Sequence, residues 1–198
     1  HEHPPLDVYI CSLLNTNTRR EMARQVVEKW RNIKGVDVTL LKPSDSHSPY
    51  CPPEWKDLKL VNVGFISNFQ LERRKYPHKQ SGRSVFVLTD DDCLPEFDEV
   101  GEALKLLESH KDFAILSAFP SNEKINEWTP DLRDTGYTTA SDSAVMEHVS
   151  VGGLRFMRRG LPKGWPPLHN NSYDKEHAEA LRRDGHRVGY FRYITQRH

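Results

Sequence analysis

The stretch Ser84–Phe97, SVFVLTDDDCLPEF, decides the fold. A short apolar, β-branched run stops at three consecutive aspartates, Asp90, Asp91 and Asp92. Such a run, preceded by the turn signal KQSGR, predicts a buried strand. Three adjacent carboxylates repel one another, and placing them beside a core costs free energy unless positive charge offsets it. A hard divalent cation is a natural counter-charge, because Mg²⁺ and Mn²⁺ favour oxygen ligands. The plainer alternative is a solvated acidic turn that complements the N-terminus of the next helix.

Upstream, LDVYICSLL (6–14) reads as a strand, followed by the polar turn NTNTRR and a helix over about 18–33, with Met22, Val26 or Val27, and Trp30 at helical spacing. Gly35 stops it, and VDVTLL (36–41) is a second strand. A Pro- and Ser-rich loop leads to a short strand at 59–66 and a basic helix in SNFQLERRKY. Downstream, Pro95 fits a first helical turn, and 96–110 reads as an amphipathic helix. DFAILSAF (112–119) is the next strand. PSNEKINEWTPDLRDTG is a loop with a helical turn, SVGGLRFMRR (150–159) a strand, and GLPKGWPPLHNNS (160–172) a long Pro/Gly loop. YDKEHAEALRRDG is a helix ending at Gly185, and HRVGYFRYITQRH a final strand. Alternation of strand and helix predicts an α/β fold with a mostly parallel central sheet flanked by helices.

The 198 residues carry zero formal net charge, so no bulk attraction to nucleic acid or anionic membranes is expected. Length and composition suit one soluble domain. Three cysteines with no C-x-x-C argue against a disulfide framework or zinc knuckle and for a reducing, cytoplasmic compartment. No apolar run approaches the roughly 18–20 residues of a membrane span. The chain does not begin with Met, which leaves open a lost anchor or a place within a larger protein.

Other metal and phosphate motifs fail at named positions. A strand followed by Asp-x-Asp-x-Thr marks the haloacid-dehalogenase phosphatases, and Leu94 stands where Thr is required. A calcium loop counted from Asp90 meets Pro95 where it needs Gly and Gly101 where it needs Glu. No P-loop or G-x-G-x-x-G is present.

VFVLTDDDCLP resembles the D-x-D signature of GT-A-fold glycosyltransferases, and the likeness extends in outline over most of the chain. NTNTRR looks like the nucleotide-binding turn after the first strand, VGGLRFMRRG like the acceptor-side strand, and YDKEHAEALRRDGHRVGYF like the late helix and strand. The resemblance implies a minimal single catalytic domain over 1–198. Residues up to about 95 would bind the nucleotide sugar, and the rest would form a small acceptor-side extension.

It also implies roles. Asp92 would be the main ligand of Mn²⁺ or Mg²⁺. Asp90 would serve the metal or the donor ribose, Asp91 would share in either role, and His198 would complete the metal site. Thr16, Arg19 and Arg20 would contact the donor nucleotide, with helix capping and a solvated basic turn as the alternative. Arg74 or Lys79 would reach the diphosphate, with a solvated helix face as the alternative. Asp174, at the start of the late helix, is the first choice for the general base of an inverting reaction, and Asp142 the second. Trp165 would stack on an acceptor sugar, cover the donor, or anchor its loop.

The implied activity is a hexosyltransferase that moves a sugar from a nucleoside-diphosphate donor, UDP-sugar favoured, to a glycan or other hydroxyl acceptor. Two readings compete. A sugar-nucleotidyltransferase needs a glycine-rich loop that LLNTNTRR lacks. A non-catalytic nucleotide- or glycan-binding module predicts binding without turnover.

Overall fold

The apolar run does form a strand, β4 (Val85–Asp90), and its first aspartate is the last strand residue. The computed structural model describes residues 3, 5–47, 49–122, 143–168 and 173–198. Around β4 lie β1 (Leu6–Cys11), α1 (Asn17–Arg31), β2 (Val36–Lys42), β3 (Lys59–Asn62) and α2 (Phe69–Gln80). After it come β5 (Leu94–Pro95), α3 (Gly101–Ser109), β6 (Phe113–Pro120), β7 (Val145–Glu147), β8 (Arg155–Arg158), α4 (Asp174–Arg183) and β9 (Arg187–Arg197).

The strands make one sheet in the order β3-β2-β1-β4-β8-β6-β9-β5, with β7 added against β9. The half β3-β2-β1-β4 is parallel, as the strand–helix alternation requires. β8 then enters antiparallel between β4 and β6, while β6 and β9 are parallel. The expected α/β class therefore holds, with antiparallel strands admitted on one side.

Strand alternation sorts the core into two layers. Val8, Ile10, Val87 and Phe156 face α1 and α3, packing on Val26, Val27, Trp30, Ala103 and Leu107. Tyr9, Cys11, Phe86, Leu88 and Met157 face α2 and α4, packing on Phe69, Ala178 and Leu181. Gly35 (φ +78°) turns the chain from α1 into β2, as its place after the helix predicted.

Several boundaries differ from expectation; the strand read over 6–14 ends at Cys11 and the one over 59–66 at Asn62. Pro95 is not in a helical turn: it pairs with Gln196 in β5, at the end of the sheet, where a residue without an N–H is tolerated. The helix expected from Glu96 begins only at Gly101. The strand expected over 150–159 is confined to Arg155–Arg158, and Gly153 before it takes φ +74°, outside the β region.

Trp30 is fully buried, meets Phe97 edge to face at 5.7 Å, and its indole N–H has no partner among the described residues. Trp30→Ala should therefore destabilise by about 3–5 kcal/mol, read by denaturant unfolding. Trp30→Phe should cost much less, since it also removes a buried unsatisfied donor.

Candidate functional site

β4 ends at Asp90, and the turn that follows separates the three aspartates. Asp90 has the parity of Phe86 and Leu88 and so faces α2 and α4. There its carboxylate meets Arg73 Nη1 at 2.7 Å and Arg155 Nη2 at 3.6 Å. Asp91 turns the other way. It is 3% exposed, and it accepts from Ser12 Oγ and from Arg19 Nη1 of α1, each at 2.7 Å. Asp92 lies beyond the strand, with a side chain 29% exposed, 3.2 Å from His198 Nε2 and 3.9 Å from Arg19 Nη1.

The turn after β1 is built for this contact. Leu14 is buried with φ +51°, a left-handed conformation uncommon outside glycine. Ser12 Oγ accepts from Leu14 N at 3.1 Å while donating to Asp91, and Arg20 Nε donates to the Leu14 carbonyl at 2.9 Å. Arg20 thus secures the turn, with its guanidinium also 6.0 Å from the Tyr50 ring. Thr16 is the N-cap of α1, accepting from Arg19 N at 3.1 Å. The first turn of α1 holds no acidic residue to oppose its basic pair, and Asp91 supplies the charge that Arg19 lacks locally.

α2 delivers two successive arginines to two places, because neighbours on a helix diverge by about 100°. Arg73 reaches Asp90, whereas Arg74, 1% exposed, reaches Asp174 Oδ1 at 2.5 Å. Arg155 Nη2 lies 3.4 Å from the same Asp174 oxygen. Lys79 is exposed near the C-terminal end of α2, about 9 Å along the axis beyond Arg73, and lines neither cleft described below. Asp142 lies outside the described residues.

Charge sets the proton affinities. Burial pushes the Asp90 carboxyl up, but Arg73 and Arg155 outweigh it and the net shift is downward. Asp174 behaves alike: burial raises it, Arg155, Arg74 and Arg73 lower it, and the guanidiniums prevail. Burial dominates at Asp91, which is raised despite Ser12 and Arg19. Burial and the neighbouring Asp90 and Asp92 raise the Cys93 thiol well above its ordinary range.

Two clefts meet at Asp90. The first, about 360 Å³, is walled by Ser12, Leu13, Arg19, Phe69, Gln70, Arg73 and the three aspartates. The second, about 340 Å³, holds Asp90, Gly152, Gly153, Asp174, Lys175, Tyr190, Gln196 and His198. A Cβ on Gly152 would sit 2.7 Å from Asp174 Oδ2, so the glycine makes room for that carboxylate. His198 is held by Asn122, which accepts from its N–H at 2.9 Å and donates to its carbonyl at 2.7 Å. Trp165 stacks on His177 at 5.2 Å and meets His78 edge-on at 5.3 Å, anchoring the Pro/Gly loop to α4 and α2. His177 is pushed well below its ordinary value by burial, and by Arg74, Arg155 and His78.

A carboxylate oxygen of Asp92, Cys93 Sγ and a ring nitrogen of His198 lie within 4.8 Å of one another, close enough for one metal ion. A carboxylate with an imidazole, partly open to solvent, suits Mn²⁺; the protonated, buried Cys93 thiol is a poor ligand for a hard ion. Arg73 and Arg155 were not singled out as site residues from the sequence. Arg155 carried a signal: an arginine between apolar neighbours in a strand buried on both faces demands a carboxylate partner.

No protein-family model matches the sequence, nor does any curated protein. Solved structures do match over nearly the whole chain. S. aureus TarS (residues 1–349) in complex with UDP-GlcNAc superposes with a TM-score of 0.66 at 11% identity, over 96% of this chain and 57% of that one. The mannosyltransferase PcManGT from Pyrobaculum calidifontis, in complex with GDP-Man and Mn²⁺, gives 0.63 at 15% identity, over 96% and 57%. The chain thus spans less than two thirds of these proteins' length. Its fold is that of the GT-A-type glycosyltransferases.

The folded-state affinity of Asp174 for a proton is lowered, so its contribution to stability is complete above the unfolded value of about 3.9 and is lost as pH falls through the lower folded value. Arg74→Met weakens that depression. Its acid unfolding, followed by circular dichroism, should begin at higher pH than in the wild type.

Proposed function

We propose that this chain is a metal-dependent glycosyltransferase that moves a sugar from a nucleoside-diphosphate donor, a UDP-sugar favoured, to a hydroxyl acceptor with inversion at the anomeric carbon. The observation that carries the reading is the meeting of two clefts at Asp90. One is walled by guanidinium groups suited to a diphosphate, and the other contains a carboxylate kept ionised by arginines. The GT-A-type fold and the nucleotide sugars held by its neighbours support it.

The donor occupies the first cleft, with Arg19 and Arg73 facing its diphosphate and Asp90 its ribose. Asp92 and His198 would hold a divalent cation, and such an ion would neutralise charge on the leaving diphosphate. The acceptor enters the second cleft. Its hydroxyl oxygen bonds to the anomeric carbon as the bond to the diphosphate oxygen breaks. The hydroxyl proton grows acidic as that bond forms, and Asp174, ionised at neutral pH, accepts it. Asp91 stays inside the protein, tying α1 to the strand end through Ser12 and Arg19. The clefts match a division in sequence: the first is lined from residues up to 92, the second chiefly from 120 onward.

Titration of the protein with UDP-GlcNAc and GDP-mannose, with and without Mn²⁺, tests this by thermal shift. A donor at 100 times its Kd should add about 2.7 kcal/mol of stability. Asp92→Ala should abolish the Mn²⁺-dependent part. Asp174→Asn should bind donor but lose about 10²–10⁴-fold in transfer. If neither compound raises the melting temperature in Mn²⁺, the proposal fails.

A further inference from the structure

The two arginines of β8, Arg155 buried and Arg158 half-buried, serve different purposes. Arg158 staples backbone, its guanidinium donating to the carbonyls of Phe113, Leu107 and His110. Arg155, three residues earlier and 1% exposed, does little of this: it makes one 3.2 Å bond to the Leu88 carbonyl, and its Nε has no hydrogen-bond partner among the described residues. Its remaining nitrogen, Nη2, is shared between Asp174 Oδ1 at 3.4 Å and Asp90 Oδ2 at 3.6 Å.

Each of those carboxylates already has a shorter partner of its own. Arg73 holds Asp90 at 2.7 Å and Arg74 holds Asp174 at 2.5 Å. Removing Arg155 therefore leaves neither carboxylate unpaired. What disappears is the direct bridge between them, leaving only the longer route in which Arg73 and Arg74 share Gln70 Oε1 at 2.8 and 2.9 Å. The bridge joins the clefts, for Asp90 lines both and Asp174 only the second.

We infer that Arg155 is a positioning residue that braces the carboxylate of the second cleft against the carboxylate at the end of β4, fixing acceptor-side and donor-side groups in one geometry. This rests on the glycosyl-transfer reading. In that reaction the attacking oxygen must meet the anomeric carbon in line with the departing diphosphate, and small displacements between the two halves are costly in rate. A brace between the clefts acts on the bond-making step. It contributes little to donor affinity, for which Arg19 and Arg73 remain in place.

The test uses water as the acceptor, so no acceptor need be known. Release of UDP from UDP-GlcNAc in Mn²⁺ is measured for the wild type and for Arg155→Met, Arg155→Lys, Asp174→Asn and the double variant Arg155→Met/Asp174→Asn. In this reaction a water oxygen bonds to the anomeric carbon, the carbon–phosphate oxygen bond breaks, UDP leaves with the electron pair, and the water proton passes to Asp174. UDP affinity is measured in parallel by calorimetry.

Arg155→Met should lower the release rate at least tenfold while UDP affinity changes less than threefold. Arg155→Lys, which keeps the charge without the fork, should recover part of the loss. The double variant should be no slower than Asp174→Asn, because groups acting on one step do not add. Wild-type turnover in Arg155→Met overturns the inference, as do multiplying losses in the double variant or affinity falling in step with rate. Failure of the wild type to bind any nucleotide sugar overturns the underlying function as well, and the two failures are told apart by the calorimetry.

Discussion

Ionised carboxylates cannot be set beside a core without positive charge to meet them, and the site depends on how that requirement is satisfied. Asp90 and Asp174 come from elements far apart in sequence, and guanidiniums from α2 and β8 converge on both. Arg73, Arg74 and Arg155 together offset both carboxylates. The same charges keep both aspartates ionised, so they are acceptors at neutral pH.

The end of the strand does the rest of the sorting. β4 stops at Asp90 and the chain turns through Asp91 and Asp92, so three identical side chains in a row come to lie in three environments. Asp90 joins the arginines of α2 and β8, Asp91 locks the first turn to the strand end, and Asp92 projects beyond the sheet toward His198. Crowding that looks repulsive in one dimension is relieved once the chain turns.

Much of this was legible in the sequence, and the gaps have physical causes. The strand at SVFVL, the helix bearing Trp30 and the late helix announce themselves through periodicity, which burial of one face enforces. β5 and β7 escaped because two- and three-residue strands exist only through their partner β9 and carry no pattern of their own. The division of labour between Arg73 and Arg74 was illegible, since adjacent helix residues look equivalent until the neighbouring strands are placed. Trp165 allowed three readings from sequence; its stacking on His177, a contact between loop and helix, favours the anchor.

The antiparallel entry of β8 carries a further consequence. Arg155 stands directly opposite Leu88 in the ladder, and its guanidinium reaches back to the carbonyl of that same residue. The placement of a charged group is thereby indexed to a hydrogen-bond register rather than to a loop. Slippage by one residue would turn Arg155 into the apolar layer that holds Phe156 and Val87. Four paired residues, Val85–Leu88 against Arg155–Arg158, thus set where the guanidinium stands.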